Sequence, residues 1–226
     1  MQIICVASQK GGAGKTTIAM VLADVLHRRD YRTLVVDVDP QRSAQKWEQR
    51  VLDDFPPYPV RVEAASGLET AEFAKWLTKR QDYDIVVVDT PPALNSKELR
   101  TGLFAADLTL IPLVAHNMFL DAVEEIATLI KGVETMRGEP MLVRTLRNRM
   151  QNRTSSERGL GDLIERSSAW PMLNTRMKEN VAFADAGNYR TSFYAMRPRR
   201  DIREMAESFG DEVLQLLKLN TEARRG

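Results

Sequence analysis

At 226 residues, with 43% apolar and 28% charged side chains, the chain can bury a full core and has the balance of an ordinary globular protein, which excludes a disordered one. Its single cysteine, Cys5, excludes an internal disulfide, and with only His27 and His116 in addition the ligands of a structural zinc or iron–sulfur site are missing. The net charge of +1 conceals an asymmetry: residues 1–139 carry 16 basic and 20 acidic side chains, whereas residues 140–226 carry 16 and 11, an excess late in the chain that fits a polyanion surface or a solvated mixed-charge exterior.

Short apolar runs predict strands at 3–7, 33–38, 60–64, 84–89, 108–114, 141–146 and 169–173. Stretches of helical period between them predict helices at 15–29, 41–52, 67–80, 96–105, 120–137, 155–168, 178–186 and 201–219. Strand and helix in alternation predict a single α/β domain over 1–226, with a twisted, mostly parallel sheet of about seven or eight strands and helices on both faces. Pro56, Pro57 and Pro59, and later Arg197-Pro198-Arg199-Arg200, read as loops within that domain. Cys5 reads as a core residue of the first strand.

The first strand runs into Ser8-Gln9-Lys10-Gly11-Gly12-Ala13-Gly14-Lys15-Thr16-Thr17, and apolar Ile18, Val21, Leu22, Val25 and Leu26 then mark a helix. Glycines let backbone N–H groups turn inward around an anion, and the helix start adds its partial positive charge. The segment therefore reads as the phosphate loop of a P-loop NTPase, lined by Gly11, Gly12, Ala13, Gly14, Lys15, Thr16 and Thr17. Lys15 would reach the β- and γ-phosphates, and the Thr16 hydroxyl would ligate Mg²⁺. One departure from the general formula is Gln9, which stands where a glycine is expected; Gly11-Gly12 and the extra Lys10 compensate.

The run from Lys10 to Thr16 matches K-G-G-x-G-K-[ST], the deviant phosphate loop of the ParA/MinD superfamily, and the chain resembles that superfamily over nearly its whole length. Asp37-Val38-Asp39-Pro40-Gln41 resembles its switch I segment, and Ile85-Val86-Val87-Val88-Asp89-Thr90-Pro91-Pro92 its Walker B and switch II segment. Residues 106–112 and 174–187 resemble further blocks of the family. The resemblance implies an ATPase with ATP and Mg²⁺ as cofactors. It assigns Lys10, Lys15 and Asp39 to catalysis, with Asp39 positioning the attacking water and Lys10 reaching across a homodimer to the partner's nucleotide. Thr16, Asp37 and Asp89 would serve the metal. Asn148 matches a position that reads adenine in the family, although an ordinary loop asparagine fits it as well.

For partners, the resemblance implies a homodimer in the ATP state, nonspecific DNA, and a ParB-like or other small protein that stimulates hydrolysis. DNA contacts would come from Arg176, Lys178, Arg190, Arg197, Arg199 and Arg200, with Arg144, Arg147, Arg149 and Arg153 a second basic group near the sixth strand. The last helix carries an apolar stripe of Ile202, Met205, Phe209, Val213 and Leu216 opposite Glu204, Glu207, Asp211 and Glu212. A membrane-surface helix is basic on its polar face, so this one is expected to pack on the core, without a MinD-type membrane anchor. No apolar run approaches the roughly 20 residues that span a bilayer, and the start of the chain lacks a secretory signal; the expected location is cytoplasmic, on the nucleoid when ATP is bound. With no helix-turn-helix ahead of the first strand, the chain resembles the short ParA type. An accessory ATPase of conjugative DNA transfer resembling VirC1, and a MinD-like positioning ATPase, call for the same core.

Overall fold

The computed structural model describes residues 1–8, 11–49, 54–114, 119–150 and 169–220. Within them lie seven strands: β1 Gln2–Val6, β2 Thr33–Asp37, β3 Arg61–Ala64, β4 Ile85–Asp89, β5 Leu108–Val114, β6 Val143–Met150 and β7 Met172–Lys178. All pair in parallel, in the order β3-β2-β4-β1-β5-β6-β7. The helices are α1 Lys15–Arg28, α2 Ser43–Glu48, α3 Thr70–Leu77, α4 Lys97–Ala105, α5 Phe119–Arg137, α6 Val181–Asn188 and α7 Arg200–Leu216.

Alternation along each strand sends neighbouring side chains to opposite faces. Ile4 and Val6 face a core closed by α1, α2, α6 and α7, while Cys5 and Ala7 face α4 and α5. Leu34, Val36, Val86 and Val88 lie under Phe73 and Leu77 of α3 on that second side. A sheet covered on both faces explains why Val86, Val87 and Val88 can follow one another, all fully buried. Cys5 is likewise a core residue, and burial pushes its thiol pKa up.

This strand order positions the site. The chain leaves β1 toward β2 on one side and leaves β4 toward β5 on the other, although β1 and β4 are neighbours. Loops after these strands diverge and open a crevice at their carboxyl ends, where ligands bind in open α/β sheets. Register sharpens the point: Asp89 is opposite Val6 on one side and opposite Asp37 on the other. The phosphate loop and the two carboxylates thus leave the sheet at one level.

Several boundaries differ from the sequence reading. β7 begins at Met172 instead of 169 and extends to Lys178, with only Leu173 and Met177 fully buried; as an outer strand it alternates and does not form a continuous apolar run. The next helix starts at Val181 because the Asn180 side chain accepts from Ala182 N and caps it. β6 continues past 146 through polar Arg147 and Asn148, both buried. Arg147 is therefore an interior residue, which removes it from the exposed basic group. α2 covers Ser43–Glu48, leaving 41, 42 and 49 of the expected 41–52 outside it; residues 50–52, the helix expected at 155–168 and Arg153 lie outside the described residues. Among the described residues no helix is long and apolar enough to cross a membrane.

Hydrogen bonds and close packing tie the late segments to the rest. Trp47 of α2 donates its indole N–H to Thr191 O at 3.0 Å and packs on Gly187, and the Thr191 hydroxyl donates to Pro56 O at 2.6 Å. α7 buries Ile202, Ala206, Phe209, Val213 and Leu214, which makes it the core-packing helix its stripe predicted. It lies so close to α1 that a Cβ on Gly210 would fall 2.4 Å from Val25 Cγ1. Gly210→Ala is accordingly expected to destabilise the protein by about 1–3 kcal/mol through overpacking, read as a lower midpoint in urea unfolding.

Candidate functional site

The loop between β1 and α1 is shaped by two glycines in the left-handed region, Gly12 at φ +81° and Gly14 at φ +82°. Gly14 caps α1 without any side-chain hydrogen bond, and the first turn of the helix holds no acid. The N–H groups at this helix start are thus left for an anionic ligand. Lys15 follows, buried, with its Nζ donating to Ser8 Oγ at 3.2 Å. Burial lowers its pKa, and the carboxylates of Asp89 and Asp39 oppose that shift.

Carboxylates face the loop from the ends of β4 and β2. Asp89 is fully buried and accepts from the Thr16 hydroxyl at Oδ2, 2.7 Å away, while its Oδ1 has no hydrogen-bond partner among the described residues. Burial pushes its carboxyl up to about 7 against the Thr16 hydrogen bond, which favours the ionised form. Asp37, also fully buried, accepts from Asp39 N at 3.0 Å and Gln45 N at 2.9 Å. Both of its oxygens are thereby engaged in folding the following loop and starting α2. Burial raises its pKa despite those bonds. Asp39, also buried, accepts from Gln41 N at 2.9 Å in a local turn.

These donors fit Mg²⁺. Thr16 and Asp89 offer hard oxygens side by side, and the buried Oδ1 of Asp89 has no partner among the described residues. Among the described residues no cluster of three His, Cys, Asp or Glu could cage an ion alone. Such a site suits an ion that keeps much of its shell as phosphate and water.

Residues 4–193 match the CobQ/CobB/MinD/ParA nucleotide binding domain. The chain belongs to this family. It is an ATPase of the ParA/MinD type. Among its relatives, protein virC1 of Rhizobium rhizogenes is 28% identical over an alignment of 239 positions that spans 99% of each chain. Maintenance of carboxysome distribution protein A of Gloeobacter kilaueensis is 38% identical over 116 residues, 49% of this chain and 48% of its own. The structure of a Cyanothece McdA–ATP complex superposes with a TM-score of 0.73 at 17% identity, over 97% of both chains.

Of the family residues expected from the sequence, Gly11 to Thr17, Asp37, Asp39 and Asp89 converge on this crevice, while Lys10 lies outside the described residues. Asn148 reaches the same place from the end of β6, opposite Val114. It is buried, and its Nδ2 donates to Ala13 O at 2.8 Å. A Cβ on Gly14 would lie 2.5 Å from that nitrogen, so Gly14 is needed for its neighbour as well as for its φ. Two further braces escaped the sequence reading: Ser8 beneath Lys15, and Thr90, whose hydroxyl donates to Val6 O at 2.8 Å. Thr90 carries no spacing signal, since it meets Val6 across 84 residues only once the sheet forms, and Ser8, seven residues before Lys15, is an ordinary serine by type.

The late basic residues lie on the surface as a mixed-charge group. Lys178 and Arg199 both pair with Asp201, at 3.6 and 3.1 Å, and Arg200 pairs with Glu204 at 2.7 Å. Arg190 donates to Gln49 O at 3.4 Å. Arg176 and Arg197 are exposed.

Proposed function

We propose that this protein is a ParA-type positioning ATPase. ATP joins two copies into a dimer, with Lys10 of each reaching the other's nucleotide. The dimer holds DNA without reading its sequence, through Arg176, Lys178, Arg190, Arg197, Arg199 and Arg200, and a small ParB-like partner stimulates hydrolysis and release of the cargo, a replicon or a protein assembly. The observation that carries this reading is the loop after β2, folded on the carboxylates of Asp37 and Asp39 and level with Asp89. A loop so built responds to what the phosphate loop holds.

In hydrolysis, Lys15 and the N–H groups at the start of α1 bind and orient the phosphates. Thr16 and Asp89 would hold Mg²⁺, which when bound would supply charge neutralisation at the transferring phosphoryl group. Asp39 positions the attacking water and Asp37 keeps the loop that carries Asp39 in place. Asn148 stands beside the loop where it contributes to the base pocket. Positioning without a stimulating group leaves much of the barrier, so turnover by the isolated protein is slow.

The test is a gel shift with random-sequence DNA in ATP, ADP or no nucleotide, at 50 and 200 mM salt. Binding is expected only with ATP, and one phosphate contact from each of these six side chains would make the higher salt weaken it by about a thousandfold. Absence of binding under every condition sinks the reading. The end-to-end match to virC1 favours a second reading, an accessory ATPase of conjugative DNA transfer. Co-purification with a relaxase complex, and not with a partition partner, would select it.

A further inference from the structure

We propose that Arg149 is a nucleotide-contacting residue of this ATPase, its guanidinium bringing a positive charge from the end of β6 to the polyphosphate held by the loop. The inference rests on the loop's binding a nucleotide.

The backbone sets the arrangement. Asn148, anchored to Ala13 O, also accepts from Arg149 N at 2.9 Å, and Arg149 then turns into the left-handed region at φ +54°. That turn brings Arg149 Nε to 4.0 Å from where a Cβ on Gly14 would lie, over the residue that opens α1. The left-handed turn interrupts the face-to-face alternation of an extended strand, and the Arg149 side chain lies over the phosphate loop.

Charge gives the arrangement its meaning. The guanidinium stands at the positive end of α1, beside the residue that precedes the Lys15 ammonium, and no acid occupies the first helical turn. Among the described residues Arg149 pairs with no carboxylate. Three sources of positive potential converge on one spot, an arrangement that is unfavourable until an anion enters and favourable afterwards. The planar fork of arginine matches phosphate oxygens bidentately. Left-handed backbone favours glycine or asparagine; an arginine held there keeps a useful side chain at the expense of backbone ease, as residues at ligand clamps do.

The substitution to glycine separates charge from strain. Calorimetric titration of ATP and ADP into R149G and R149Q is expected to show affinities lower by about tenfold or more for both nucleotides. R149K should retain part of the affinity. The nucleotide-free R149G protein is expected to melt at or above the wild-type temperature, because glycine accepts the backbone angle without strain. Wild-type affinity in R149G overturns the proposal. A fall in nucleotide-free melting temperature in both variants that matched the loss of affinity would make the residue structural and overturn it too. K15A is titrated alongside: full affinity there would sink the nucleotide reading itself, a result independent of Arg149.

Discussion

Lys15→Ala is expected to abolish nucleotide binding in any practical sense, weakening ATP affinity by about a thousandfold, or about 4 kcal/mol, in calorimetric titration. The ammonium is buried, its described hydrogen bond is to the Ser8 hydroxyl, and the charges that sustain it are the nearby Asp89 and Asp39. Burial works against the charged form, and the lowered pKa records that tension. A residue kept in this state contributes little to the free fold. The nucleotide-free Lys15→Ala protein should therefore melt close to the wild-type temperature, with the loss confined to binding. A variant that bound ATP normally would show that the loop holds something else.

Asp39→Ala should divide the two activities in the opposite way. Asp39 is buried, accepts from Gln41 N and touches neither Lys15 nor Thr16 through a described hydrogen bond. Affinity for ATP should stay within a fewfold of wild type. Hydrolysis should fall by about a hundredfold, the usual scale for losing a water-positioning group, and the protein should accumulate as an ATP-bound dimer in size-exclusion chromatography. Phosphate release at the wild-type rate, with the partner protein present, would assign the water to another group.

Much of this site could be read from the chain because its parts are local. The strand, the glycines and the helix that follow one another from Gln2 to Arg28 form a single unit, and Asp37 and Asp89 each end an apolar run. The parallel sheet followed from runs such as 85–88, buried on both faces. What escaped depends on distant partners. Asn148 meets Ala13 across 135 residues, Thr90 meets Val6 across 84, and no periodicity encodes either meeting. β7 was placed too early because half of its side chains face solvent and the apolar signal is diluted. Arg147 looked like a surface cation by composition, yet it lies within the strand that carries Asn148. The ion pairs of Lys178, Arg199 and Arg200 with acids of α7 were equally hidden, since the helical stripe reveals which residues are buried but not which charges meet.

The six residues of α2 form a rod pinned at both ends. Its first turn hangs from the Asp37 carboxylate through Gln45 N, and its last is bolted by the Trp47 indole to Thr191 in the stretch that leads to Arg197. A rod this short cannot bend to absorb strain, so a displacement of the carboxylate at the sheet end is passed to the opposite attachment, two residues or about half a turn away. The metal pocket and the outer basic rim thus share a mechanical linkage made of covalent backbone and one indole.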